Sequence, residues 1–311
     1  MGAGAIGGFI AAFLARAGND VGVVARGEHL AAIRGSGLRV TSILGDFSMN
    51  VAAASDLREL GTYDAVLLTV KAHQVRDVLP QLEPSVEVGA TIVPLQNGIP
   101  FWYFEDRTVE SVDPQGAIRC ALPRAQIVGA VVHTSGEILT PGAIHQSGAP
   151  NYIFGSPNRV LSKRVEEIAD LFRAAGVQPS AVGDLRPAVW FKLLGNVSLN
   201  PVSALTRRTI APMLEDPSIR SLIALLMQET LRVAAAAGVQ LNVSIEERIN
   251  LAARLADVKT SMLQDLEGGR PLELEPIVGA VMEIAEMYSV SIPAIRTIYA
   301  LTKSLQRLSV A

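Results

Sequence analysis

The sequence predicts a doubly wound α/β domain followed by an all-helical domain, and three observations carry that prediction. Short apolar strand runs alternate with helical runs through the first half. A glycine-rich turn opens the first of those helices. Past residue 160 the strand runs stop and nearly every segment has helical period. The length of 311 residues favours two domains over one. Apolar residues make up 49% of the chain and aromatics only 5%, so both cores must be built mainly from Ala, Leu, Val and Ile.

In the first half, residues 9–17 read as an apolar helix after the glycine turn. Asn19-Asp20 turns the chain into a short buried strand at 21–25, and residues 28–34 look helical. Residues 38–43 and 47–53 alternate as a strand pair around Gly45-Asp46. Continuous apolar runs at 65–70, 90–95 and 127–132 read as buried strands, with a helix at 73–82 after the first of them. Residues 137–154, rich in Gly with Pro, read as looped strands. Pro157-Asn158 closes this region, so the expected domains are 1–160 and 161–311. The second contains helical patterns at 163–175, 185–205, 218–237, 245–256, 274–288 and 292–308, punctuated by Gly238 and Gly268-Gly269.

Composition excludes several function classes. The net charge of −3 offers no basic excess to a phosphate backbone, so nucleic acid is set aside. No apolar stretch of about 20 residues predicts a membrane span. The single cysteine, Cys120, has no partner within the chain and is expected to be a small buried residue in a reducing cytoplasm. His29, His73, His133 and His145 are scattered singly, so no metal site is predicted; His73 is expected to begin a helix.

Gly2-Ala3-Gly4-Ala5-Ile6-Gly7 matches the dinucleotide fingerprint. Its first glycine permits the tight turn, its second lets backbone N–H groups approach a pyrophosphate, and its third lets the helix pack on its strand. The next strand ends at Arg26, where an enzyme using NAD often carries an acid. An arginine there suits the 2′-phosphate of NADP(H), with Arg34 as a weaker second candidate. One feature conflicts with this architecture. A buried strand should run into Gly2, yet only Met1 precedes it. Losing a central strand of about five residues would cost an amount comparable with the whole stability of about 5–15 kcal/mol. The expectation is therefore a natural start upstream of Met1, to be tested by an in-frame apolar run in the genomic sequence.

Lys71 and Asn97 follow two of the buried strands, where ligands of open parallel sheets bind. Lys192, Asn196 and Asn200 fall at i, i+4 and i+8 of one apolar helix and so share a face. Polar groups on such a stripe need partners. Trp190 on the same helix is expected in the core between domains. A last polar segment runs from Lys259 through Ser261 and Asp265, followed by Glu273 and Glu275; Asp265 either braces the site or lies on the surface.

Taken in order, GAGAIGG, VKAHQ, LQNG, the W-x-K-L-x-x-N-x-x-x-N-P run at 190–201, SMLQD and E-L-E-P-I-x-G resemble the ketopantoate reductase family over essentially the whole chain. The resemblance implies a Rossmann-like domain plus an all-α domain, with the active site in the cleft between them. It implies NADP(H) as cofactor and a small 2-oxo acid as substrate, 2-dehydropantoate first of all. The family's catalytic lysine matches Lys192 and its substrate-binding glutamate matches Glu273. Its substrate-contacting residues match Asn97, Asn196, Asn200 and Ser261, and Lys71 matches a family lysine near cofactor and substrate. Only one of Glu273 and Glu275 can face the cleft, because residues two apart on a helix diverge. The resemblance allows a homodimer. Two other readings stand beside it: a paralogue reducing another 2-oxo acid, and a non-catalytic NADP-binding sensor. A buried proton donor has no use in the second.

Overall fold

The computed structural model describes residues 1–310; Ala311, the last residue of the expected second domain, lies outside them. The chain divides into two compact units, residues 1–96 with 116–185, and residues 97–115 with 186–311.

The first unit begins with α1 (Ala5–Arg16), β1 (Gly22–Val24) and α2 (Gly27–Ser36). Next come β2 (Leu38–Thr41), β3 (Phe47–Met49), β4 (Ala52–Ala54) and β5 (Ala65–Leu68). Then follow α3 (Val75–Glu87), β6 (Thr91–Pro94) and the short α4 (Ala117–Ala121). The long hairpin of β7 (Gly129–Thr140) and β8 (Ala143–Ser156), α5 (Lys163–Ala174) and β9 (Ser180–Asp184) complete it.

Two parallel ladders, β1 with β4 and β5 with β6, form the dinucleotide-type part of the unit. Backbone at the start of the chain ties them together. Met1 N donates to Leu67 O at 2.9 Å, and Thr69 N donates to Met1 O at 2.9 Å. Gly2 N and Ala3 N both donate to Val24 O. A second sheet has the order β3-β2-β8-β7, with β9 parallel to β8. Helix α1 is apolar nearly all round, the pattern of a buried helix. Its Phe9, Ile10, Phe13 and Leu14 share one core with Val23 of the parallel part and with Val40, Ile144, Tyr152 and Phe154 of the second sheet.

The structure departs from the sequence expectations at four places here. The boundary falls at Leu185, not near 160, because α5 packs on β8 and β9, and β9 pairs with β8. Residues 137–154, expected as looped strands, belong to the one continuous hairpin of β7 and β8, whose register shifts at His133/Ser135 and Ile138/Thr140. Helix α3 continues to Glu87 through Pro80 and Pro84. Cys120 is exposed, since the short α4 buries Ile118 instead.

The second unit is helical: α6 (Arg186–Thr206), α7 (Ile210–Glu215), α8 (Pro217–Ala236), α9 (Ile245–Ala253), α10 (Ser261–Glu267), α11 (Ala280–Met287) and α12 (Pro293–Val310). Helix α6 is its centre, packed against α8, α10 and α12 with Trp190, Leu193, Leu194 and Val197 buried. Trp190, expected in a core, is fully buried. Its indole donates to Tyr103 Oη at 2.6 Å, and Arg186 donates to Tyr103 O at 2.7 Å. These bonds tie the irregular segment 97–115 to α6. The segment's far end is held by the Glu283 carboxylate, which accepts from Glu110 N and Ser111 N. The helix expected at 274–288 is interrupted: residues Glu275–Gly279 form a π-turn before α11.

Candidate functional site

In the first unit the candidate site is backbone. Gly2 has φ +97°, and a Cβ there would sit 2.8 Å from Val70 N, so only glycine fits the turn. A Cβ on Gly7 would overlap Gly2 O and the Thr69 hydroxyl. A Cβ on Gly4 would meet nothing within 4 Å. The fingerprint's three glycines thus do three jobs: turn, open approach and close packing. Gly4 is also the N-cap of α1 and offers no side-chain cap. The N–H groups of the first turn, Ala5, Ile6 and Gly7 among them, are therefore available to an anion at the helix's positive end. These residues, with the buried Ala3 below them, fit a dinucleotide pyrophosphate.

Around that turn, Arg26 is exposed at the N-cap of α2, directly beyond β1. Arg34 is committed elsewhere: it donates to Ala53 O at 2.9 Å and pairs with Glu59 at 3.7 Å. Lys71 is half-buried beyond β5, at the N-cap of a single turn over 72–74 that contains the exposed His73. Sequence reasoning passed over Gln96. Its amide donates to Leu68 O at 2.8 Å and Val70 O at 3.0 Å, fixing the strand end that carries Lys71.

In the second unit the candidate site is made of side chains. Lys192 Nζ donates to Asn97 Oδ1 at 2.7 Å. The other end of that amide, Nδ2, donates to Glu273 Oε2 at 3.3 Å. Burial pushes the Lys192 ammonium down to about 8, and the Glu273 charge opposes that fall. Glu273 itself is only 4% exposed.

Local geometry explains how residues so far apart in sequence meet. Gly98 has φ +94°, and a Cβ there would overlap Pro276 O. Ile99 N donates to that same oxygen at 2.9 Å. The Asn97-Gly98 turn is therefore seated on the π-turn immediately after Glu273. A π-turn is rare and needs a tertiary reason; here its Pro276 carbonyl receives the neighbouring chain. The π-turn has no periodicity of its own to read, but Gly98 beside Asn97 is a usable signal for a tight approach.

Other predicted residues sort clearly. Glu275 turns away from Glu273, pairing with Lys303 and accepting from Tyr299 Oη at 3.0 Å. Asn200 is 6% exposed, and Asn196 is half-buried on the same helix. Among the described residues, neither side-chain amide has a protein hydrogen-bond partner. Their polar ends are open to water, and so to a ligand. Ser261 is exposed at the first position of α10, and the buried Thr260 before it caps that helix. Asp265 is buried and accepts from Arg270 Nε at 2.9 Å, so it braces α10. No group of His, Cys, Asp and Glu able to hold a metal occurs among the described residues, and none of their helices is long and apolar enough to cross a membrane.

A dinucleotide-type glycine turn on one unit, and a desolvated lysine among amides and a carboxylate on the other, define a two-domain oxidoreductase. The chain belongs to the ketopantoate reductase family. Residues 1–159 match the family model described as ketopantoate reductase PanE/ApbA, and residues 184–306 match that of its C-terminal domain. A 2-dehydropantoate 2-reductase from Mesorhizobium japonicum is 38% identical, with 98% of this chain and 96% of that protein covered. The crystal structure of 2-dehydropantoate 2-reductase from Geobacter metallireducens is 29% identical, with a TM-score of 0.88 over 98% of each chain. The fold extends further. A D-mandelate dehydrogenase solved with NADH and anilino(oxo)acetate has a TM-score of 0.87 over 100% of this chain and 98% of its own, at 18% identity.

Proposed function

We propose that this protein reduces 2-dehydropantoate to pantoate with NADPH, in the cytoplasm. The observation that carries the reading is the Lys192 ammonium, held by Asn97 at 2.7 Å beside the buried Glu273 and brought by burial to about 8. An acid with that pKa is mostly protonated at neutral pH and gives up its proton readily.

Gly2, Ala3, Gly4, Ala5, Ile6 and Gly7 would hold the pyrophosphate, Arg26 the 2′-phosphate, and Lys71 and Asn97 the nicotinamide end. When bound, the reduced cofactor supplies a hydride to the substrate's C2 carbon. The C2 oxygen gains negative charge as its double bond to carbon breaks. Lys192 stabilises that oxygen and delivers a proton to it, becoming neutral until solvent reprotonates it. Atoms balance: ketone, hydride and proton give the alcohol. Asn196, Asn200 and Ser261 orient the substrate's polar groups. Glu273 accepts from the substrate's hydroxyl and keeps Lys192 charged. The exposed position of Arg26 beyond β1, with no acid there, favours NADPH over NADH. The homodimer that the family resemblance allows is carried as part of this proposal.

Steady-state turnover of a panel of 2-oxo acids with NADPH and with NADH tests the reading. The expected result is highest kcat/KM for 2-dehydropantoate with NADPH. Faster reduction of another 2-oxo acid would replace the substrate. Absence of turnover with every acid, while NADPH still binds, would replace the reading with that of a sensor.

A further inference from the structure

Within the first unit one side chain reaches the glycine turn from the strand beside it. Thr69 is the first residue past β5, whose parallel ladder with β6 ends at the pair Leu68 and Pro94. Its hydroxyl lies 2.6 Å from Gly2 O and 2.9 Å from Met1 O. A hydroxyl has one proton to give. Met1 O already accepts from Thr69 N at 2.9 Å, so the hydroxyl proton serves Gly2 O, the nearer of the two. Gly2 O also accepts from Gly4 N at 2.8 Å, which occupies its second lone pair. The carbonyl is held against Gly7, where a Cβ would overlap both Gly2 O and the Thr69 hydroxyl. The space Gly7 leaves empty is where those two groups meet. Thr69 is itself clamped. The two N–H groups of the Gln96 amide donate to Leu68 O at 2.8 Å and Val70 O at 3.0 Å, the carbonyls on either side of it. These bonds extend the hold of β6 on this segment past the last ladder pair.

The direction of the Gly2 carbonyl matters to an anion. A phosphate seated on the first turn of α1 meets the N–H groups of Ala5, Ile6 and Gly7. A carbonyl oxygen carries the opposite partial charge, and one turned toward the same place would repel the phosphate. Gly2, at φ +97°, has no side chain to restrict its backbone, so an outside partner is needed to fix its peptide plane. The Thr69 hydroxyl is such a partner, and it comes from a different strand.

We propose that Thr69 is a positioning residue for the dinucleotide's pyrophosphate: its hydroxyl, set in place by Gln96, holds the Gly2 carbonyl turned in beside Gly7 and keeps the N–H face of the turn open to the phosphates. The inference rests on the reading above, which supplies NADPH as the ligand. Its effect is on cofactor affinity, not on the 2-oxo acid.

The test compares T69A, T69S and Q96A with the wild type. Calorimetry gives Kd for NADPH and for adenosine 2′-phosphate, which keeps the adenine and the 2′-phosphate but has no pyrophosphate. Steady-state kinetics give KM for NADPH and for 2-dehydropantoate. Losing one neutral hydrogen bond costs about 3- to 10-fold in affinity. T69A is expected to raise Kd and KM for NADPH by that factor, and to leave Kd for adenosine 2′-phosphate and KM for the acid where the wild type has them. T69S, which keeps the hydroxyl, binds NADPH as the wild type does. Q96A frees the carbonyls beside Thr69 and shows the same selective loss, which reads the proposal even if T69A folds poorly. Equal losses for NADPH and adenosine 2′-phosphate, unchanged NADPH affinity in T69A, or a T69S as weak as T69A would overturn the proposal and leave the reductase reading standing. A selective loss of NADPH in a protein that reduces no 2-oxo acid would do the reverse.

Discussion

Under the proposed function the two units would meet their ligands by different means. The first offers backbone: three glycines and a helix start, all within residues 2–8, make a surface where the missing side chains are the point. The second offers side chains held by other side chains. Asn97 reaches across 95 residues to Lys192 and across 176 to Glu273. The first kind of site is local and tolerates little change in shape. The second is assembled by the fold, and its function lies in charge and protonation. Substitutions should therefore fail in different ways: steric changes should break the first unit's task, and chemical changes the second's.

The largest effect is expected at Lys192. K192A should lower kcat by about 10²- to 10⁴-fold, the worth of a positioned general acid, while NADPH titration by fluorescence stays unchanged. Near-normal turnover would break the assignment of chemistry to the second unit. The pH profile sharpens it. The ammonium is the active form and is lost as pH rises through about 8, so kcat/KM should fall on that alkaline side. K192R should show no such limb, because its guanidinium stays protonated.

Next comes Gly7. Its added methyl in G7A meets Gly2 O and Thr69, which are backbone and a packed side chain and cannot easily move. Overpacking of this kind costs about 1–3 kcal/mol, read as a lower midpoint of thermal unfolding. It also distorts the turn, so NADPH affinity should fall by at least about tenfold. G4A, in open space, should unfold where the wild type does. Equal unfolding midpoints for G7A and G4A would contradict the division of labour among the glycines.

Much of this was legible in the sequence, and the reason is physical. The glycine turn is a contiguous motif whose spacing encodes its geometry. Lys192, Asn196 and Asn200 share a helical period, so their common face could be read directly. The choice between Glu273 and Glu275 could not be made, because it depends on a π-turn that no helical period announces. The domain boundary was misplaced for a similar reason. β9 is a strand only because β8 offers it an edge, and nothing in Ser180–Asp184 alone predicts that pairing.

Two smaller effects set cofactor and proton affinity. R26A should weaken NADPH by about tenfold or more with little change for NADH, the loss expected for a charge-assisted phosphate contact. Equal loss for both cofactors would remove Arg26 from 2′-phosphate recognition. E273Q removes the negative charge that favours the Lys192 ammonium, so the alkaline limb of kcat/KM should move to lower pH. An upward shift would mean that Glu273 does not act on Lys192 in this way.

The smallest effect is expected two residues further on, and it is the sharpest control. Glu275 is an acid on the same stretch of chain as Glu273, and the sequence could not separate them. In the structure its carboxylate meets Lys303 and Tyr299, with the glutamate and lysine side chains 41% and 38% exposed. A pair so open to solvent contributes at most about 1 kcal/mol. E275Q should therefore lower the unfolding midpoint by a few degrees at most, and leave kcat, KM and the alkaline limb where the wild type has them. If E275Q moved that limb as far as E273Q does, the effect on Lys192 would reflect general loss of negative charge. A shift confined to E273Q would tie it to the one carboxylate that the Gly98–Pro276 contact sets beside Asn97.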